Sequence, residues 1–177
     1  GGGSTISDWL GKQGIETEFV DGLRVTTSQS LDVAVAVLAG LINKQIVVEL
    51  IQQNGRALGL SGADGGLLIG QAFDERLGLV GNVTEVDSSI LNVALDNGLI
   101  PVVAPLAVES SDQHVSDSGL LNLNADTAAA HIAVGMNASM LVFLTDVQGV
   151  LDSEGTLLEE VNFERGEEIL SSGVVTR

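Results

Sequence analysis

The stretch Gln53–Gly66, QNGRALGLSGADGG, contains the transition that decides the fold. Asn54 and Gly55 end a long apolar helical pattern, because both residues tolerate the left-handed conformation that closes a helix. Arg56–Leu60 then has the length and apolar content of a buried strand, and Ser61–Gly66 is a turn. A long helix followed at once by a short apolar strand is typical of an α/β sheet.

The same alternation extends to both ends of the chain and predicts an α/β fold with a mainly parallel open sheet. Asp21-Gly22 predicts the turn of a hairpin within Ile15–Thr26. We find no internal repeat and no linker, so residues 1–177 are predicted to form a single domain. The predicted helices are Thr5–Gln13, Ser28–Gln53 with Ser28 as its cap, Ser88–Asn97 with Ser88 as its cap, Asp126–Met136 and Asn162–Ser172. Besides Arg56–Leu60, the predicted strands are Leu67–Ala72, Val80–Val86, Leu99–Pro105 and Ser139–Leu144.

Charge and composition exclude several classes of function. The chain carries 24 acidic and 7 basic residues, a net charge of −17, and so repels nucleic acid and anionic membrane surfaces. Its partners are therefore expected to be small molecules. The absence of cysteine excludes disulfides, thiolate catalysis and zinc-thiolate sites, and suits a reducing cytoplasm. The longest apolar run, Ala34–Ile51, is interrupted by polar residues, so no membrane span is predicted.

Gly1, Gly2 and Gly3 lead directly into the first predicted helix. Glycines let backbone N–H groups approach an anion closely, and a helix N-terminus favours negative charge. An engineered linker is the alternative interpretation of this stretch.

Arg24 follows the predicted hairpin turn in a very acidic chain. Its planar guanidinium suits bidentate binding of a carboxylate. On spacing alone, a surface ion pair with Asp21 or Glu18 explains it better.

Asn122, Asn124 and Asp126 stand where a strand passes into a helix, the position at which open α/β sheets bind ligands. In an extended segment Asn122 and Asn124 point to the same face. Helix capping explains one of the three residues equally well. The polar turn after the strand Ser139–Leu144 is a further candidate, for a nucleotide, with a plain connecting loop as the alternative. His114 and His131 lack metal-ligand spacing, so no metal site is predicted.

Read in order, these motifs resemble the acetylglutamate kinase branch of the amino-acid kinase family over essentially the whole chain. The motifs Gly22-Leu23-Arg24-Val25-Thr26 and Asn122-Leu123-Asn124-Ala125-Asp126 are quite specific to this branch. The other matching residues are Gly1-Gly2-Gly3, Gly40 with Asn43-Lys44, Gly59–Gly65, Gly81, Pro101-Val102 and Leu144–Leu151. The resemblance implies a three-layer αβα sandwich and makes the linker interpretation of the glycines improbable.

The resemblance also implies an activity: phosphorylation by ATP, with Mg²⁺, of the side-chain carboxylate of N-acetyl-L-glutamate, in arginine biosynthesis. It implies a cytoplasmic homodimer or larger homo-oligomer. The implied substrate-binding residues are Gly2, Gly3, Arg24, Asn122 and Asn124, and Asp126 would orient the catalytic lysines. The residues implied to bind ATP are Asp146, Val147, Gln148, Gly149, Val150, Leu151, Val174, Val175 and Thr176.

Two family motifs that carry the catalytic lysines, Lys-x-Gly-Gly and Gly-Met-x-x-Lys, do not occur in these 177 residues, and neither Lys12 nor Lys44 occupies their places. The resemblance therefore implies the central part of a kinase that is incomplete at both ends. Two other hypotheses stay open at this point. One is a kinase of the same fold that acts on glutamate, aspartate or carbamate, and the other is a relative that binds ligand without turnover.

Overall fold

A computed structural model describes residues 2–145, 149–152 and 155–172. The chain divides into two compact units, one ending at Leu141 and the other beginning at Val142. Helices and strands alternate along the first unit, which confirms the mixed α/β class. Its helices are α1 (Gly3–Lys12), α2 (Ser28–Val35), a π-helical segment (Ala36–Ile42), α3 (Asn43–Gln52), α4 (Ser89–Asp96) and α5 (Ala125–Gly135). Its strands are β1 (Phe19–Val20), β2 (Leu23–Arg24), β3 (Ala57–Ser61), β4 (Leu68–Ala72), β5 (Val80–Val86), β6 (Ile100–Ala104), β7 (Leu106–Glu109) and β8 (Leu120–Leu123).

The strands form three separate groups rather than one open sheet. β1 and β2 make the predicted hairpin, with Asp21 and Gly22 both at positive φ in its turn. β3 and β6 pair in parallel. β4, β5, β8 and β7 close into a small barrel in which parallel and antiparallel pairs alternate. The prediction of a mainly parallel open sheet is therefore wrong for these four strands. β4–β5 and β7–β8 are antiparallel pairs, and the parallel pairs β4–β7 and β5–β8 join them into a closed barrel.

The helical run Ser28–Gln52 is continuous through its π-helical segment. Thr27, not Ser28, caps it. The Thr27 hydroxyl accepts the Ser30 N–H, and Ser30 Oγ accepts the Thr27 N–H. The predicted cap, Ser28, lies one residue too late, because Thr27 and Ser28 both carry a hydroxyl that can accept a backbone N–H at a helix start. Similarly, the carboxylate of Asp87, not the side chain of Ser88, accepts the Ser89 N–H at the start of α4, and this bond lowers the pKa of Asp87.

Within the described part of the chain, this 25-residue run is the one helix long and apolar enough to cross a membrane, with a mean hydropathy of 1.8 over an 18-residue window. Core helices pass the same test, and one face of this helix is buried in a protein core with Ile6 and Leu10 of α1. The buried residues of that face are Val33, Ala34, Val37 and Leu38.

Asn43 ties this helix to the parallel pair β3–β6. Its side chain is 2 % exposed, and Nδ2 donates to the carbonyl oxygens of Leu60 (3.0 Å) and Val102 (2.7 Å). Both carbonyls come from strands, so one amide bridges the two strands and the helix. A Cβ on Gly59 would collide with Asn43 Oδ1, which explains why glycine stands there.

The second unit contains α6 (Phe163–Ser172), as predicted, and an isolated bridge between Leu151 and Leu157. The predicted strand Ser139–Leu144 is not formed: these residues have no regular secondary structure. A strand requires a partner for its backbone groups, and no strand in the described part of the chain pairs with this one. The apolar pattern alone could not show whether such a partner was at hand.

Candidate functional site

A cleft of about 380 Å³ lies in the first unit, beyond the carboxyl ends of β6 and β8. The sequence predicts ligand binding at such strand ends. Five residues predicted to bind substrate line this cleft together: Gly2, Gly3, Arg24, Asn122 and Asn124. They come from three stretches far apart in sequence, so the fold alone brings them to one place.

The N-terminus of α1 opens into the cleft. Gly2 is the N-cap and supplies no side chain to accept a hydrogen bond, so the first-turn N–H groups that follow have no capping acceptor. A Cβ on Gly2 would lie 2.6 Å from Ile42 Cδ1 and 2.7 Å from Leu38 Cδ2, so glycine lets this end of α1 pack closely on the helical run. No acidic residue occupies the first turn. The helix end therefore offers backbone donors and positive potential to an anion.

Arg24 is half-buried beside that helix end. Its Nη2 donates to the carbonyl oxygen of Gly3 (2.8 Å) and to Ser7 Oγ (3.0 Å), and its guanidinium carbon lies 4.9 Å from the centre of the Phe19 ring. Its Nη1 is buried and has no hydrogen-bond partner among the described residues. Burial lowers the pKa of the Arg24 guanidinium from its ordinary value. The half-buried guanidinium thus keeps one donor nitrogen buried and unused.

The ion pair considered from spacing is wrong for this arginine. Asp21 pairs instead with Arg76, at 3.4 Å, on the protein surface. Among the described residues no carboxylate lies within ion-pairing distance of Arg24. A cation that lines a cleft and has no counter-ion among the described residues, in a chain of net charge −17, is suited to an anionic ligand.

Asn122 faces the cleft from β8. Its Nδ2 donates to Thr26 Oγ1 at 3.2 Å, and Thr26 Oγ1 donates in turn to the carbonyl oxygen of Arg24 at 3.2 Å. This chain of bonds connects two of the predicted substrate residues. It leaves one Nδ2 hydrogen and the Oδ1 atom of Asn122 without a partner in the part of the chain that the structure describes.

Asn124 and Asp126 occupy the start of α5. Asn124 is the N-cap, and its Oδ1 accepts from the backbone N–H (2.9 Å) and the hydroxyl (3.1 Å) of Thr127, so the capping alternative is confirmed for this residue. Its side chain still borders the cleft. Asp126 is exposed in the first turn of the helix and does not line the cleft, although its neighbour Ala125 does.

The predicted ATP-binding residues Asp146–Gln148 and Val174–Thr176 lie outside the described residues, as does Gly1. Gly149, Val150 and Leu151 belong to the second unit, where the Val150 carbonyl accepts the Leu158 N–H at 2.8 Å. No cluster of three or more histidines and carboxylates that could hold a metal ion occurs among the described residues.

Sequence reasoning gave no role to Thr26 or Asn43, both of which are buried and hydrogen-bonded next to the cleft. A signal for Thr26 was available, because residues 24 and 26 share one face of an extended segment. Nothing comparable existed for Asn43, whose partners are carbonyl groups 17 and 59 residues away along the chain.

The family model described as the amino acid kinase family matches residues 1–177. The chain is 42 % identical over 176 residues to an acetylglutamate kinase of Dehalococcoides mccartyi, covering 99 % of this chain and 65 % of that protein. It is 46 % identical over 186 residues to an acetylglutamate kinase of Methanopyrus kandleri, covering 99 % of this chain and 73 % of that protein. The chain thus spans about two thirds of the length of these relatives.

Among solved structures, smu.665 from Streptococcus mutans UA159 superimposes with a TM-score of 0.85 at 25 % identity, over 98 % of this chain and 69 % of that one. The match to the family model runs the full length of the chain, and two relatives are more than 40 % identical to it. This chain belongs to the amino acid kinase family.

Proposed function

We propose that the full-length gene product containing this chain transfers the γ-phosphoryl group of ATP to the side-chain carboxylate of N-acetyl-L-glutamate. The products are N-acetyl-glutamyl 5-phosphate and ADP, and the reaction is a step of arginine biosynthesis. The observation that supports this proposal best is the buried, unpaired Nη1 of Arg24 at a cleft that also holds the N-terminus of α1. The names of the relatives are consistent with it.

The substrate has two carboxylates, and the cleft has two kinds of anion donor. Arg24 would donate to an oxygen of the α-carboxylate through Nη1, because Nη2 already donates to the Gly3 carbonyl and to Ser7 Oγ. Asn122 and Asn124 would hold the rest of the substrate, at the rim formed by β8 and α5. Gly2 and Gly3 would offer backbone N–H groups to the acetylated substrate and the transferred phosphoryl group, where the helix dipole of α1 favours negative charge.

Both reactants are anions, so the protein's task is to position them and to neutralise charge. A carboxylate oxygen attacks the γ-phosphorus while the bond to the β–γ bridging oxygen breaks, and no covalent enzyme intermediate is needed. Fixed N–H donors stabilise the negative charge that spreads over the phosphoryl oxygens. Lys12 and Lys44 do not line the cleft. The catalytic lysines of this proposal are those of the family motifs Lys-x-Gly-Gly and Gly-Met-x-x-Lys, and Asp126 would orient them.

ATP would contact Asp146–Leu151 and Val174–Thr176. Mg²⁺ would accompany the nucleotide and be held largely through its phosphates, since this ion keeps several waters and needs few protein ligands. We also propose that residues 1–177 are one domain of a three-layer αβα sandwich, and that the protein acts in the cytoplasm as a homodimer or larger homo-oligomer on small molecules alone.

Trapping of the acyl phosphate with hydroxylamine tests the substrate assignment. The full-length gene product is incubated with Mg-ATP and either N-acetyl-glutamate, glutamate or aspartate, and the hydroxamate is measured. We expect strong hydroxamate formation with N-acetyl-glutamate alone. Glutamate and aspartate carry a positively charged α-amino group, which would meet the Arg24 guanidinium in the same cleft.

A preference for glutamate or aspartate would support the kinase activity but contradict the assignment of N-acetyl-glutamate as the substrate. No hydroxamate with any acceptor, from a protein shown by circular dichroism to be folded, would favour a relative that binds ligand without turnover.

A further inference from the structure

Thr26 is the most completely enclosed polar side chain beside the cleft, with 0 % exposure. Its backbone is held on both sides: its N–H donates to the Leu77 carbonyl (2.9 Å), and its carbonyl accepts the Leu79 N–H (2.7 Å). Gly78 lies between these two partners at φ +65°, where a Cβ would stand 2.5 Å from the Thr26 carbonyl oxygen. These main-chain bonds therefore fix the backbone from which the Thr26 hydroxyl projects.

The hydroxyl has a single hydrogen, and that hydrogen is used. Thr26 Oγ1 donates it to the Arg24 carbonyl oxygen at 3.2 Å, so towards Asn122 the same oxygen can only accept. An amide that faces an acceptor must present its nitrogen. If the Asn122 amide were flipped, its Oδ1 would face Thr26 Oγ1, which has no hydrogen left to donate, and the two oxygens would repel each other.

We propose that Thr26 is a positioning residue for the substrate, acting through Asn122. Its hydroxyl selects the orientation of the Asn122 amide in which Nδ2 lies on the side of Arg24, so that the remaining Nδ2 hydrogen can donate to the carboxylate that Arg24 binds. The inference rests on the proposed function for the identity of the ligand. The same bond couples the hairpin that carries Arg24 to the strand that carries Asn122.

Two substitutions at this position separate hydroxyl chemistry from packing. Thr26→Val keeps the size and branching of the side chain but removes the hydroxyl, whereas Thr26→Ser keeps the hydroxyl. In the full-length gene product we expect Thr26→Val to raise KM for N-acetyl-glutamate about 10- to 100-fold while KM for ATP stays within about twofold. Thr26→Ser should restore most of the affinity for N-acetyl-glutamate.

The neighbouring residue supplies a matched control. The Thr27 hydroxyl caps α2 and does not line the cleft, so Thr27→Val makes the same chemical change one residue away. We expect it to lower the free energy of unfolding by about 1 kcal/mol, the usual effect of losing a cap, and to leave both KM values unchanged.

A double-substitution cycle with Asn122→Ala tests the route of action. If Thr26 acts through Asn122, the double variant Thr26→Val, Asn122→Ala should have the same KM for N-acetyl-glutamate as Asn122→Ala alone. Effects that multiply independently would overturn the proposal, as would a Thr26→Val variant with wild-type KM or one whose two KM values rise together. A wild-type protein that forms no product with N-acetyl-glutamate would instead refute the proposed function, since the comparison of variants presupposes that activity.

Discussion

Replacing Arg24 with alanine in the full-length gene product is expected to lower kcat/KM for N-acetyl-glutamate by about 100- to 1000-fold. The substitution removes the half-buried Arg24, the one cation among the described residues that line the cleft, and with it the unused Nη1 donor. The loss should fall mainly on KM, because the α-carboxylate is bound equally in the ground state and in the transition state. Steady-state kinetics with each substrate varied in turn make the measurement.

Arg24→Lys and Arg76→Ala are the controls for this result. Lysine keeps the charge but loses the planar fork, so we expect an intermediate loss of about 10- to 100-fold. Arg76 lies on the surface in ion pairs with Asp74 and Asp21, and its replacement by alanine should change kcat/KM by no more than about twofold. Equal effects of the Arg24 and Arg76 substitutions would contradict a specific role for Arg24.

Replacing Gly62 with alanine is expected to destabilise the protein by about 3 kcal/mol or more. Gly62 is fixed in the turn after β3: its N–H donates to the Ala104 carbonyl (3.0 Å), and its carbonyl accepts the Leu68 N–H (2.7 Å). A Cβ there would collide with the Leu106 carbonyl oxygen and would lie 2.6 Å from Leu68 Cδ1. Relief would require the main chain of β7 to move, and β7 is part of the barrel. Urea unfolding followed by circular dichroism gives the change.

Gly11→Ala is the matched control for that substitution. Gly11 lies inside α1 with no atom within 4 Å of the added Cβ, so the same change should stabilise the protein by about 0.5–1 kcal/mol through helix propensity. If both substitutions were neutral, the close approach of Gly62 to β7 would not exist in solution.

The local parts of this fold were accessible from the sequence because local patterns determine them. The turn at Asp21-Gly22 and the end of the long helix at Asn54 follow from residue types that tolerate a positive φ. The strand Val80–Val86 follows from its content of β-branched residues. The closure of β4, β5, β8 and β7 did not follow, since it depends on pairing between segments about forty residues apart. The prediction of a strand at Ser139–Leu144 was wrong for the same reason. An apolar pattern shows that a segment favours the extended conformation, but a strand forms only where another strand pairs with it.

The candidate site divides in a similar way. The residue types that recognise anions, Arg24 and the glycines at α1, could be identified singly, and the resemblance grouped them with Asn122 and Asn124. The sequence could not show that, among the described residues, no carboxylate pairs with Arg24, because this is a property of the folded molecule. Thr26 shares a face with Arg24 in an extended segment, but its hydrogen bond to Asn122 joins residues 96 positions apart and is seen only in the folded molecule.

A crystal structure of the full-length gene product with N-acetyl-glutamate would test the central claim most directly, that the cleft binds the substrate through Arg24. The account predicts that a carboxylate of the ligand lies within hydrogen-bonding distance of Arg24 Nη1, with Asn122 Nδ2 beside it and the first-turn amides of α1 facing the ligand. A ligand bound elsewhere, or one bound in the cleft with Nη1 of Arg24 still without a partner, would contradict it.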